Sequence, residues 1–411
     1  MSFFSGEYFF TVLILVLTGA LILGFLEKPL KWYNITVSIL VIVLVLGGEP
    51  VKIVYFLAYF AIELAIVKIY EGLRRTKGRQ LWIYRLFVLF SITPLIFCKL
   101  CELETFKNMG WFQFIGISYL TFRVVQIIIE MYDGVIESIS PSDFAEFLIF
   151  FPTFSCGPID RSRRFMADSG KAYKRSEYLE LFGTGIEKMA WGLLYKFVLA
   201  NLAYKVMSLV MAKTILQVLA YSYAYGIYMF FDFAGYSLMA IGTGYMLGIK
   251  VPENFNKPFI STDMKDFWAR WHISLSEWFR DFIFTRFIMS SMKKKRFKTR
   301  LTTASVGFII NMFVMGIWHG LAIQYLVYGL YHGVLLALTE IYQKKSKFYK
   351  KNKKKRWYKI VSWAITMNFV MFGFLIFSGH MTDTVNAARG CLNCHPQVHG
   401  SNHIDGRKFE N

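Results

Sequence analysis

The sequence has few charged residues, and acidic ones are the scarcer kind. Asp, Glu, Lys and Arg make up only 18% of its 411 residues, against about a quarter in soluble domains. Hydrophobic residues make up 55% and aromatic ones 18%. This composition excludes an ordinary soluble globular domain, and we expect most of the chain to lie in lipid.

Cysteine is also scarce, which excludes a disulfide-built scaffold. Of the five cysteines, Cys98, Cys101 and Cys156 lie in or beside apolar segments, where a free thiol usually behaves as a small hydrophobic group. A redox pair at Cys98 and Cys101 is the alternative. There is no internal repeat of fixed period, which disfavours a transporter built from repeated halves. No cleavable signal peptide is expected, because no A-x-A-like site ends the long first apolar run.

What the chain has instead is a series of apolar segments. A helix needs roughly 20 apolar residues to cross the hydrocarbon core, and several segments are shorter, which favours re-entrant pieces around a cavity. We predict an all-α polytopic membrane protein with about eleven transmembrane or re-entrant helices. They centre on residues 11–26, 35–46, 51–67, 81–98, 111–131, 144–154, 181–211, 220–247, 304–318, 321–342 and 360–377.

The formal net charge of +20 comes mainly from short basic loops. Residues 74–79, 161–164 with 171–175, 293–300 and 344–359 hold these clusters, and positive loops stay cytoplasmic. This pattern predicts that both termini lie outside, whereas the topology between residues 131 and 215 stays open. A nucleic-acid partner is disfavoured, because anionic lipid headgroups account for the clusters.

Polar and titratable side chains interrupt the apolar runs, and such groups at membrane depth are functional candidates by default. Residues 266–281 read DFWARWHISLSEWFRD, and Trp318-His319-Gly320 ends a later apolar run. In order and spacing these stretches, with 116–123, 150–165, 228–237 and 248–259, resemble the membrane-bound O-acyltransferase family. The resemblance is strongest to its teichoic-acid D-alanyltransferase branch and covers roughly residues 5–380. It implies a ring of helices around a central tunnel, with a histidine at the reaction centre.

His319 is the candidate general base. Acyl transfer to a hydroxyl needs a group that accepts a proton near neutral pH, and histidine has a suitable pKa of about 6.5. Gly316 and Gly320 flank His319 and are expected to leave room for a substrate. The alternative is a buried histidine held by one hydrogen bond. His332, in a similar local sequence, is interpreted as structural.

The resemblance also assigns a second tunnel histidine, His272, which would shape the tunnel or orient the substrate. Its alternative is an interfacial histidine in an aromatic belt. Four further polar residues are candidates for substrate or tunnel contact, with ion pairing as the alternative for the charged ones. They are Asp232, Asn311, Arg280 and Asp281.

The resemblance implies a donor that is a D-alanyl thioester on the phosphopantetheine arm of a small acidic carrier protein. No cofactor is expected to bind this chain, and no metal site is predicted in the membrane domain. An apolar ridge beside a basic cluster could hold such a carrier, although a plain interfacial amphipathic helix fits equally. The docking candidates are Ile288, Met289, Lys293, Lys294 and Lys295.

The C-terminal segment departs from the family. We divide the chain into a membrane domain, 1–380, and a polar tail, 381–411, that is expected to be disordered. Cys391, Cys394 and His395 form a C-x-x-C-H pattern of the kind that attaches c-type haem. The tail has too few apolar residues for a core, so a foreign or unstructured extension is favoured over covalent haem or incidental metal capture.

The predicted function is transfer of a D-alanyl group from a cytoplasmic carrier thioester to a hydroxyl of extracellular teichoic acid. The partners would be the carrier protein, the acceptor, helper membrane proteins and lipids. The second enzymatic hypothesis is an alginate-type polysaccharide O-acetyltransferase. A membrane transporter or scaffold is the non-enzymatic alternative, but a scaffold would not need His319.

Overall fold

The computed structural model describes residues 3–210 and 214–380, which form helices and no strand. The helices, in chain order, are α1 (Glu7–Phe25), α2 (Lys31–Leu46), α3 (Pro50–Lys77), α4 (Leu81–Leu100), α5 (Ile117–Asp133), α6 (Pro141–Ile149), α7 (Ser162–Asp168), α8 (Arg175–Leu193), α9 (Ala200–Leu209), α10 (Ile215–Met246), α11 (Met264–Trp268), α12 (Ile273–Phe279), α13 (Thr285–Lys293), α14 (Arg300–His319), α15 (Ile323–Lys345), α16 (Lys347–Asn352) and α17 (Arg356–Phe377).

Five of these helices, α1, α3, α4, α14 and α17, are long and apolar enough to cross a membrane. Their outward side chains are apolar as well: Ile14, Leu57 and Ile365 are each more than half exposed. A helix with hydrocarbon on its outer face is suited to lipid as its solvent. The prediction of an all-α, multi-pass membrane protein is confirmed, whereas the number of eleven spans and their arrangement as a ring stay predictions.

Two turns of π-helix interrupt longer helical runs. One, Leu194–Leu199, joins α8 to α9, and the other, Arg280–Phe284, joins α12 to α13. Such π-turns inside α-helices often occur at functional sites. The second carries Arg280 and Asp281, two of the predicted polar candidates.

Helices α14 and α15 form a tight antiparallel hairpin through glycine contacts. A Cβ built on Gly316 would lie 2.4 Å from the carbonyl oxygen of Tyr325, and one on Gly333 would lie 2.8 Å from the Cα of Ile309. Small residues at such crossings let two membrane helices approach closely. The basic loops 293–300 and 344–359 therefore lie at the same end of this hairpin, as the charge pattern predicts.

The expectation that Gly316 and Gly320 leave room for a substrate is wrong. The backbone of α15 occupies the space beside Gly316. A Cβ built on Gly320 would lie only 2.6 Å from the ring of Tyr325. The glycines are needed for helix packing and for seating an aromatic ring.

Candidate active site

The backbone of His319 is fixed where α14 ends. The last carbonyls of a helix have no partner inside it, and here Lys99 of α4 donates from Nζ to the carbonyl oxygen of His319 over 3.2 Å. Lys99 also pairs with Glu102 at 2.8 Å, and Glu102 accepts from the backbone N–H of Leu321 at 3.3 Å. Two residues distant in sequence thus anchor the turn between α14 and α15.

The imidazole of His319 lies in an aromatic enclosure. Its centroid is 4.7 Å from that of Trp318 and 5.1 Å from that of Phe377, and the rings of Tyr325 and Tyr328 both lie 6.2 Å away. In the described part of the chain neither ring nitrogen has a hydrogen-bond partner. Because packing alone holds the ring, both nitrogens stay available to accept or donate a proton.

His272 is held quite differently. It is buried and precedes α12 with a left-handed backbone, φ 45°. Its Nδ1 lies 3.1 Å from Oδ1 of Asn254, which also accepts from the hydroxyl and the backbone N–H of Ser274. The backbone N–H can only donate, so it identifies that Asn254 atom as the oxygen. Nδ1 of His272 therefore carries the proton, and Nε2 has the free lone pair.

The two histidines are near each other in the fold although they are 47 positions apart in the sequence. Their imidazoles are close enough to interact electrostatically. One has a fixed tautomer and the other has free nitrogens. This arrangement suits one group that orients a substrate by accepting a hydrogen bond and a second that removes a proton.

A cavity of about 320 Å³ lies between α12, the second π-turn and α14. Arg280 and Asn311 line it, together with Ser276 and Trp268. The Asn311 Oδ1 and the Trp268 Nε1 are buried without a partner in the described structure, and such orphan groups are rare unless a ligand or water satisfies them. Two of the predicted substrate contacts are thus brought together in one cavity.

A second cavity of about 320 Å³ is lined by Trp318, the neighbour of His319 in the sequence. Its walls are almost entirely apolar and come from α4, α5, α12 and α14. Lys99, which holds the carbonyl of His319, is the one charged residue that lines it. An apolar chain or a small organic group therefore has room close to the candidate base.

The other two predicted polar residues are engaged in ion pairs. Asp232 of α10 pairs with Lys196 at 2.6 Å, and Asp281 pairs with Arg161 at 2.6 Å and with Arg280 at 2.9 Å. Neither carboxylate lines the cavity that contains Asn311. The geometry favours the pairing alternative for both, because each carboxylate is already neutralised by a cation within hydrogen-bond distance.

His332 of α15 is fully buried, and its ring lies 4.5 Å from that of Tyr328 and 5.3 Å from that of Trp268. Gly373 of α17 makes room for it, since a Cβ there would be 2.4 Å from its Nε2. Both its ring nitrogens lack a partner in the described structure. The structural role of His332 stays a prediction.

The predicted carrier-docking ridge is narrower than the sequence suggests. On α13, Met289 and Met292 are 66% and 43% exposed, whereas Ile288 packs against α14 at Gly307. Lys294 and Lys295 follow the helix and are exposed. The accessible apolar surface beside the lysines is therefore formed by the two methionines, and Ile288 supports the helix.

Sequence reasoning assigned no role to Lys99, Glu102 or Asn254. Lys99 and Glu102 are three positions apart where α4 ends, a spacing typical of a local ion pair, but nothing local indicates their contact with α14. Among the described residues no cluster of His, Cys, Asp and Glu could hold a metal ion. The haem-type motif of Cys391, Cys394 and His395, and the tail it belongs to, lie outside the described residues.

Comparison with known proteins gives one consistent result. Residues 78–382 match the family model described as MBOAT, membrane-bound O-acyltransferase family. The chain is 41% identical to a teichoic acid D-alanyltransferase of Bacillus subtilis over 92% of this chain and 98% of that protein. It is 39% identical to one of Streptococcus thermophilus, over 92% and 95%. Identity to a probable alginate O-acetylase of Pseudomonas fluorescens is 34%, over 78% and 63%.

Proposed function

The chain belongs to the membrane-bound O-acyltransferase family, and we propose that this enzyme transfers a D-alanyl group to a hydroxyl of teichoic acid. Two relatives named teichoic acid D-alanyltransferase align with this chain over 98% and 95% of their own length. The observation that carries the mechanism is the pair of histidines, one with a fixed tautomer and one with unengaged nitrogens. A scaffold would have no use for such a pair.

In the proposed reaction, His319 takes the proton of the acceptor hydroxyl while the hydroxyl oxygen attacks the carbonyl carbon of the thioester. The tetrahedral intermediate collapses, the C–S bond breaks, and the departing thiolate takes the proton back from His319. An ester and a free thiol result, and the histidine returns to its starting state. His272 would accept a hydrogen bond at Nε2 from a second donor group of the substrate, since the one proton of the hydroxyl goes to His319, and would so orient the substrate.

The donor in this proposal is a D-alanyl thioester on the phosphopantetheine arm of an acidic carrier protein, so the chain itself binds no cofactor. The cavity with Asn311 and Arg280 could hold the amide groups of such an arm, because its orphan polar atoms need partners. The carrier would dock beside Met289 and Met292 on the cytoplasmic side. Both termini would then lie outside the cell membrane, with the acceptor.

The experiment is D-alanyl transfer from loaded carrier to acceptor by purified His319→Ala protein. Loss of general acid–base catalysis should lower the rate by roughly 10²-fold or more, while carrier binding and thermal unfolding in detergent stay near wild type. His332→Ala is the matched control: it removes an imidazole from α15 and should act through stability alone. Folded His319→Ala protein that keeps more than about a tenth of the wild-type rate would exclude His319 as the base.

Polysaccharide O-acetylation is the second candidate, since alginate O-acetylases match 78% or less of the chain at 34% identity or lower. The two candidates differ in the acyl group. Offering acetyl-loaded and D-alanyl-loaded carrier to the same preparation distinguishes them. Preferential use of the acetyl thioester would favour the second candidate.

A further inference from the structure

A strongly basic surface lies where α15 is followed by α16 and α17. Residues 344–359 contain nine lysines and one arginine and no acidic residue. In the described structure none of these ten cations forms an ion pair with a carboxylate. Uncompensated positive charge of this density is costly unless an anion approaches it.

Beside this surface a cavity of about 460 Å³ opens between α15, α16 and α17. Lys353 and Lys359 line its mouth, together with an aromatic rim of Tyr342, Tyr349 and Tyr358. Lys353 lies 5.6 Å from the centre of the Tyr349 ring, and the hydroxyls of Tyr358 and Tyr342 are 3.2 Å apart. Tyrosines and lysines at this level are typical of the lipid headgroup region.

The walls below the rim are apolar and continue along the membrane-crossing helix α17. Ile365 and Phe369 line the cavity from α17, and Leu335 and Leu338 from α15. Phe369 lies ten positions beyond Lys359 along α17, which corresponds to a depth of roughly 15 Å at 1.5 Å per residue. A slot of this depth suits an acyl chain better than a side chain of a docked protein.

One carboxylate lines the cavity, and it is already engaged. Asp263 accepts hydrogen bonds from the backbone N–H groups of Lys265 and Asp266, at 2.9 and 3.0 Å, and from Gln343 at 3.0 Å. Its charge is thus compensated on the α11 side. An anionic group at the mouth would meet Lys353 and Lys359.

We propose that this cavity binds an anionic phospholipid, with its phosphate at Lys353 and Lys359 and an acyl chain along α17. The contacts are of two kinds, headgroup charge at the rim and hydrocarbon in the slot. A lipid seated there would join the ends of α15 and α17 on the basic side of the protein. This site is separate from the two histidines and from the proposed transfer reaction.

The test is lipid retention by the full-length protein, measured by native mass spectrometry after exchange into phosphatidylglycerol or phosphatidylcholine. Wild type should retain phosphatidylglycerol in preference. Lys353→Ala with Lys359→Ala should weaken that retention by roughly 25-fold, at about fivefold for each basic residue near an anionic surface. Lys350→Ala with Lys351→Ala removes the same charge from residues outside the cavity lining and should change retention little.

A second variant tests the slot separately. Ser362→Trp fills the apolar part and should reduce retention of both lipids, provided its thermal unfolding matches wild type. If the two double-lysine variants lowered lipid retention equally, the attraction would be a general effect of surface charge and the proposal would be overturned. Equal retention of the two lipids by wild type would also overturn it. So would lysine variants that lose carrier binding but keep phosphatidylglycerol, because the surface would then serve a protein partner.

Discussion

Replacing Asn254 should disturb the candidate site while both histidines stay in the chain. Its carboxamide contacts His272 and Ser274 through Oδ1, and donates to the hydroxyl of Ser237 at 2.9 Å. All four side chains are buried. Leucine at position 254 has similar size but can neither donate nor accept. Three buried groups would lose their partner, namely Nδ1 of His272, the N–H of Ser274 and the hydroxyl of Ser237, whereas the hydroxyl of Ser274 would still accept from the N–H of Ile159.

The magnitude follows from that count. A buried polar group left without a partner costs about 1–3 kcal/mol, so Asn254→Leu should cost about 3 kcal/mol even at the lower end of that range. This is a large part of the 5–15 kcal/mol that typically stabilises a folded domain. The freed His272 ring could also turn and change tautomer, so activity should fall further than the folded fraction does.

Thermal unfolding in detergent, run beside the transfer assay, measures both effects. Asn368→Leu is the matched control, because Asn368 is exposed on α17 and donates only to the Ala364 carbonyl within its own helix. It should unfold and transfer like wild type. If Asn254→Leu also matched wild type in unfolding temperature and rate, the carboxamide would not hold His272, and the assigned tautomer would be wrong.

Three further predictions concern other parts of the chain. Gly316→Ala should lower the free energy of unfolding by about 1–3 kcal/mol through overpacking against α15. Gly183→Ala is the control, because a Cβ there would meet no atom within 4 Å, and thermal unfolding compares the two variants. Met289→Asp with Met292→Asp should weaken pull-down of the loaded carrier more than replacing Lys293–Lys295 by alanine, because each exposed charge contributes little to binding. Unchanged pull-down by the Asp variant would exclude this docking surface. Truncation after Gly379 should leave membrane insertion and transfer intact, and full-length protein should show no haem that survives denaturing electrophoresis; a surviving Soret band would contradict this.

Much of the fold was predictable because lipid restricts the chain to few solutions. Backbone groups in hydrocarbon must be satisfied within a helix, so the apolar runs indicate helices directly, as for 81–98 and α4, or 360–377 and α17. Gly316 and Gly320 were misinterpreted. A glycine that makes space for a substrate and one that makes space for another helix or an aromatic ring cannot be distinguished in a sequence. Only the position of α15 distinguishes them.

At the candidate site, the residue types were predictable and their partners were not. His272 and His319 stand out as titratable groups among apolar ones. Asp232 and Asp281 stand out for the same reason, yet both are engaged by cations, Lys196 and Arg161. A sequence shows which charges are costly in a membrane, but the ion pair that offsets the cost joins residues 36 to 120 positions apart.

The way His319 is anchored bears on how a base can be both well placed and reactive. A histidine held by its ring nitrogens loses the lone pair or the proton that it needs for chemistry. Here the backbone carbonyl is fixed by Lys99 and the ring by aromatic packing, so the side chain is positioned while both nitrogens remain unengaged. His272 represents the opposite solution, in which one nitrogen bonds to Asn254 and the other is thereby set as an acceptor. The two forms of anchoring thus fit the two roles proposed for them, proton transfer at His319 and orientation at His272.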